Sequence, residues 1–305
     1  MLIKKNNNKN KKLKMGNKDK LFYGLNDLLL LLFFIIVLFP LIHVISASFS
    51  SPDAVAAGHV KFLPVGFSLA GYKEVLNYKP VWTGYRNSLF YATAGTFINL
   101  VFTILAAYPL SRKDLKGRKI ITILITFTMI FNGGLIPTYI IMQKLGFVNT
   151  PWAMLLPNAI LVYNFIITKS YFENNISEEL LDASKIDGCS DVKFLLKIVL
   201  PLSKSIIAVI GLYYGVFHWN AFFQAMIYLR DEALFPLQLF LRDILVLNEV
   251  SLEMMSDLEL MAKMENMRDL LKYSVIIVAS IPVLMVYPFI QKYFVKGQME
   301  GAVKG

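Results

Sequence analysis

Residues able to do acid–base, nucleophilic or metal chemistry are few and scattered in this chain. The three histidines, His43, His59 and His218, lie far apart, so a three-histidine metal site has no support. Cys189 is the single cysteine, which excludes a disulfide scaffold and a cysteine-based zinc site. No G-x-x-x-x-G-K-S/T loop is present, so the chain does not bind and hydrolyse ATP through that motif. H-E-x-x-H, C-x-x-C and G-x-S-x-G are absent too. No catalytic or metal-ligating residue is assigned. The polar side chains that remain are amides, hydroxyls and aromatics, together with one charged, glycine-containing stretch, Ser177–Lys204.

These groups must be carried by apolar elements. Of 305 residues, 56% are hydrophobic and 17% charged, against about 25% charged in a soluble domain. The mean hydropathy is +0.55. A membrane-spanning helix needs about 20 mostly apolar residues. Five windows qualify outright, Leu28–Phe49, Asn87–Ser111, Ile120–Gln143, Pro151–Tyr171 and Ser205–Leu229, and Tyr273–Gln291, at 19 residues, nearly does. They predict an all-α integral membrane protein with six transmembrane helices. A soluble six-helix bundle would need amphipathic faces that these windows lack. None of the windows holds an Asp or Glu, which argues against a pump, a proton-coupled carrier and a charge-lined cation channel.

Orientation follows from the basic residues. With both termini in the cytoplasm, 21 of the 31 Lys and Arg residues fall in cytoplasmic segments. This topology accounts for most of the net charge of +10 without nucleic acid. Residues 1–27 form a basic, Lys/Asn-rich tail, expected to be a disordered topology anchor touching anionic lipid. The apolar run before Ser46-Ala47-Ser48 is too long for a signal-peptide core, so the first span is expected to stay uncleaved. Residues 28–305 form the membrane domain.

The 177–204 segment, on the cytoplasmic side, has helical pattern. Ser177 is a good N-cap, followed by Glu178 and Glu179 in the first turn. Gly188 suits a left-handed helix end. Ser190 caps a second short helix through Phe194 and Ile198, and Pro201 precedes the fifth span. Two short amphipathic helices with a glycine bend are expected at the membrane surface, either packed on lipid or docking a cytoplasmic partner.

This stretch resembles the signature loop of permease subunits of binding-protein-dependent ABC importers: E-A-A, three residues, G, nine residues, I-x-L-P. Asp182-Ala183-Ser184 stands where Glu-Ala-Ala is usual, and Gly188, Ile198, Leu200 and Pro201 fall at the expected offsets. Asp182 shortens the acid by one methylene, Ser184 replaces the second alanine, and Cys189 stands where a small residue is common. Gly133-Gly134-Leu135-Ile136-Pro137, His218-Trp219-Asn220, Phe235-Pro236-Leu237-Gln238 and the tail from Gln291 resemble a carbohydrate-uptake subgroup, for oligosaccharides or polysaccharide fragments.

The resemblance implies a type I ABC importer permease fold in a bacterial cell membrane. It implies a second, different permease, two cytoplasmic ATPases that bind ATP and Mg, and an extracytoplasmic sugar-binding protein. This chain would carry no cofactor and no enzymatic activity. Coupling to the ATPase would fall to Glu179, Asp182, Ala183, Ser184, Asp187, Gly188, Phe194, Ile198, Leu200 and Pro201. A sugar path needs amides, hydroxyls and aromatics, and Asn132, Gly133, Gly134, Asn164, Tyr214, His218, Trp219, Asn220 and Gln224 supply them. Each could instead join helix to helix. Alternative readings are a permease for a non-sugar solute, a self-contained carrier or channel, and a membrane-embedded enzyme using His43 or His218. The last lacks an intramembrane carboxylate partner.

Overall fold

Backbone groups in lipid must hydrogen-bond internally, so charge-free apolar runs are driven into helices. The computed structural model describes residues 16–246, 267, 269–288 and 291, and among these there is helix but no strand. Residues 1–15 of the expected basic tail and the tail from Lys292 lie outside the described residues.

Helix α1 (Asn17–Ser48) begins ahead of the Leu28 window, so part of the expected tail is helical. Its start is fixed by the Gly16 N–H, which donates to Asp19 Oδ2 at 3.1 Å. The most apolar stretch of α1 has no buried residue. Its fully buried residues, Ser46, Ala47 and Ser48, lie in the last turn, and Phe39 and His43 make edge contacts with the rings of Phe62 and Tyr273. Ser46 Oγ donates to Phe62 O at 2.7 Å, and Ser48 Oγ pairs with Tyr72 OH at 2.8 Å. Two short helices, α2 (Pro52–Ala56) and α3 (Ala70–Asn77), follow.

Helix α4 (Lys79–Ser111) is the axis of the fold. Its buried residues include Gly84, Ser88, Gly95, Asn99, Thr103 and Ala107 beside the larger Val81 and Tyr91. Small and hydroxyl residues at helical spacing let neighbouring backbones approach closely. A Cβ at Gly84 would lie 2.8 Å from Leu237 Cα, so that contact requires glycine.

Several windows hold broken rather than straight helices. Window three is α5 (Arg118–Ile130) and α6 (Leu135–Lys144), bent by 112°. The break is local chemistry: Gly134 has φ +86°, and its N–H donates to Asn132 Oδ1 at 2.9 Å. Window four is α7 (Trp152–Leu155), an irregular stretch, and α8 (Val162–Asn175). Then come α9 (Glu178–Ile186) and α10 (Asp191–Phe194). A π turn over Leu195–Val199 leads into α11 (Leu200–Leu202). After an 84° bend follows α12 (Lys204–Trp219). Window five breaks at Asn220 and resumes as α13 (Phe222–Tyr228). The last described helices are α14 (Leu237–Val246) and α15 (Asp269–Pro288).

Among the described residues, α1, α4 and α15 are each long and apolar enough to cross a membrane. Counting each of the two bent pairs as one span makes five. Phe165, Phe172, Phe194, Leu195, Val199 and Ile210 form a core around the Ala107 end of α4. Val81, Trp219, Leu237, Leu241 and Val275 form a second core around its start.

Candidate functional site

The 177–204 segment is built from three local signals. Ser177 Oγ accepts the Leu180 N–H at 3.3 Å and caps α9. Ser190 Oγ accepts the Lys193 N–H at 3.4 Å and caps α10. Between them Gly188 takes φ +69°. Its N–H donates to Lys185 O at 3.0 Å, and the Cys189 N–H donates to Ser184 O at 2.9 Å. This is the paired closure of a Schellman motif, which satisfies the last carbonyls of α9.

The faces then divide. Phe194 is buried among Tyr108, Phe165 and Phe172, with Ile198 and Leu200 packed against the same core. Ser184 is buried, its Oγ donating to Leu181 O at 2.7 Å. Glu179, Asp182, Ala183, Asp187, Gly188 and Pro201 are exposed. Beside the glycine bend Ile186 is 87% exposed and Val192 67%. Neither apolar residue was among the expected site residues. Their exposure on a polar loop is the signal that marks them.

A second group missed by sequence reading lies in the connection after α4. Arg112 Nε and Nη2 grip Asp114 at 2.9 and 2.5 Å. Arg112 Nη1 also pairs with Asp191 at the start of α10. The bidentate hydrogen bonds from Arg112 hold the Asp114 carboxyl below the usual carboxylate range. Those same bonds hold Arg112 protonated beyond its ordinary range. Lys113 Nζ lies 3.1 Å from Glu178 Oε1, and Lys185 Nζ lies 3.8 Å from Asp114 Oδ2. The α4–α5 connection is thus strapped to both short helices. Between them opens a cleft of about 910 Å³, with Arg112, Arg118, Glu173, Glu179, Asp182 and Lys185 on its walls and Phe172 and Phe194 among its lining residues.

The expected path residues separate into two groups. Four are buried in helix junctions. His218 Nε2 meets Asn99 Oδ1 at 2.7 Å, and Asn99 Nδ2 donates to Asn158 O. With the Asn99 oxygen accepting, the histidine proton sits on Nε2. Tyr214 OH accepts the Leu161 N–H at 3.1 Å and pairs with Thr103 Oγ1 at 2.6 Å. Trp219 Nε1 donates to Ala279 O at 3.2 Å. Asn164 is 2% exposed. The remaining five are more open: Asn132, Gly133 and Gly134 at the α5–α6 bend, Asn220 after α12, and half-buried Gln224. Asn220 Nδ2 donates to Val216 O at 2.9 Å. Asn99 was not foreseen, although it ties the α7–α8 break to α12. At this end a second cleft, about 540 Å³, lies between the α12–α13 break, α14 and α15.

Helices without strands among the described residues, with a glycine-bent pair of capped helices strapped to broken apolar helices, fit an ABC-transporter permease. The comparisons make the assignment particular. No family model matches the chain. It is similar to the polygalacturonan/rhamnogalacturonan transport system permease protein YtcP of Bacillus subtilis (strain 168), at 42% identity over 94% of this chain and 98% of that one. Protein LplC of the same organism is 38% identical over 88% of this chain and 90% of its own. A chain from the crystal structure of a bacterial ABC transporter involved in import of the acidic polysaccharide alginate superposes with a TM-score of 0.82. That match is 35% identical and covers 92% of this chain and 99% of the other. The chain belongs to the family of carbohydrate ABC-importer permeases. It is a membrane protein and a transport subunit, not an enzyme.

Proposed function

We propose that the chain is a six-span permease with both termini in the cytoplasm, one of two different permeases in an importer for oligosaccharides. Two cytoplasmic ATPases bind ATP and Mg, and an extracytoplasmic binding protein delivers the sugar, which passes through chemically unchanged. The sixth span is α7–α8. Its irregular middle is compatible with a membrane interior because Asn99 and Tyr214 satisfy the backbone of Asn158 and Leu161.

The observation that carries the coupling role is Ile186, 87% exposed beside a glycine closure whose second helix is rooted in the core by Phe194, Leu195 and Val199. An apolar tip on a polar loop gains by burial in a partner's groove. Force applied there reaches α12 through the π turn and the 84° bend. Rigid-body rocking of the helices would then alternate access to the path. The sugar class rests on the relatives named for polygalacturonan/rhamnogalacturonan and for alginate.

The test is co-purification of the ATPase with Ile186→Asp, alongside uptake of labelled oligosaccharide. A subunit that reaches the membrane but loses both ATPase and uptake supports the docking role. Normal uptake with full ATPase recovery removes it.

A further inference from the structure

The cleft at the Trp219 end has lining groups that narrow the ligand further than the class of sugar. Its volume, about 540 Å³, lies within the range of small-molecule sites, roughly 300–1,000 Å³. One wall is α15, presenting Ile276, Ala279, Ser280 and Val283 at helical spacing. A second wall is α14, where Gln238 and Arg242 stand four residues apart on one face. The third is the α12–α13 break, with Asn220, half-open Phe222 and the small exposed part of Trp219. Apolar surface suits a pyranose face, and Asn220, Gln238 and Ser280 suit hydroxyls.

Arg242 is the one charged residue lining this cleft among the described residues. A guanidinium can donate to the hydroxyls of a neutral sugar, but it pairs best with a carboxylate, through two parallel charge-assisted bonds. Asp243 Oδ1 lies 3.5 Å from Arg242 Nη1, a long contact. Asp243 does not line the cleft, and successive helical residues point about 100° apart. Among the described residues no carboxylate takes with Arg242 the bidentate geometry that guanidinium favours, which suits a ligand carboxylate.

We infer that this cleft takes a uronate unit of an acidic oligosaccharide, with Arg242 pairing the ring carboxylate and Phe222 covering a ring face. The inference rests on the carbohydrate reading above and sharpens it. It accords with one relative named for polygalacturonan and one solved neighbour for an acidic polysaccharide.

The test is uptake by the assembled importer, using labelled trigalacturonate and labelled neutral galactotriose. Wild type is expected to carry trigalacturonate in preference. Arg242→Gln should raise the apparent KM for trigalacturonate at least about tenfold, with ATPase co-purification unchanged. Arg242→Lys keeps the charge but not the fork, and should raise it a few-fold. An unchanged KM in either assembled variant overturns the assignment, and Arg242→Lys carries the test if the glutamine variant does not assemble. Uptake of galactotriose but not trigalacturonate by wild type overturns the inference while leaving the carbohydrate reading intact. Uptake of neither, nor of any neutral oligosaccharide in a panel, overturns both.

Discussion

His218 and Gly95 are a matched pair: the imidazole fills the space that any side chain at position 95 would need, and a Cβ there would overlap the ring. The same ring makes the hydrogen bond to Asn99. Gly95→Ala should therefore lower the midpoint of thermal denaturation in detergent, at a cost of about 1–3 kcal/mol from overpacking. Combining it with His218→Ala should recover part of that loss, because the clash disappears with the ring. Strict additivity of the two changes would show that the contact is not the cause.

Gly188 offers a cleaner separation of strain from clash. No atom lies within 4 Å of a Cβ built there, so a substitution meets only the backbone penalty of φ +69°. That penalty is about 1 kcal/mol or more for a β-branched residue, and less for asparagine. Gly188→Val should remain in the membrane yet recover less ATPase and take up less sugar, whereas Gly188→Asn should retain most of both. Equal behaviour of the two variants would detach function from this turn.

The Arg112 strap should respond to acid. A carboxylate whose folded pKa is lowered adds stability above its unfolded value, and that stability is lost as pH falls through the folded pKa. Asp114 is such a group, held low first by its hydrogen bonds to Arg112. Hydrogen-exchange protection over residues 177–193, measured against the intrinsic rate at each pH, should therefore hold in wild type as pH approaches the ordinary carboxylate range, and fall below it. Arg112→Gln should quicken exchange already at neutral pH. Identical exchange in both proteins would leave the strap without a structural role.

Asp182 is exposed and lies 3.9 Å from Lys185, a pair of small stabilising value. Asp182→Lys should leave thermal stability within about 0.5 kcal/mol of wild type but lower ATPase recovery. Asp182→Glu should be mild in both measurements. A lysine variant that retains full recovery would show that no basic residue of the ATPase faces this position.

Cys189 gives a direct reading of orientation. An impermeant maleimide should label it in inside-out vesicles and not in intact cells. Labelling in intact cells would reverse the topology and remove the site proposed for ATPase docking.

The 177–204 segment was legible because its signals are local. Ser177, Gly188 and Ser190 each act on backbone within a few residues, and each lies where sequence pattern puts it. The break at Asn132–Gly134 was legible from its own residues, whereas the breaks in windows four and five were less so. The carbonyl of Asn158 is satisfied by Asn99, 59 residues away, and Asn99 is held by His218, 119 residues away. No window average carries that information. For the same reason the sequence shows Tyr214, His218 and Trp219 by type but not their partners, which tie them into helix junctions, while Trp219 also borders the second cleft. Arg112 was counted only as a topology charge, because Asp191 is 79 residues distant.

Helix α1 has a mechanical consequence. It runs for 32 residues, about 48 Å at 1.5 Å per residue, and its buried residues are confined to the last turn. A rod fixed at one end magnifies rotation at the pivot: about 10° at Ser46–Ser48 sweeps the far end through roughly 8 Å. A small adjustment of the Ser48–Tyr72 contact would thus be enlarged several-fold at the N-terminal end of the helix.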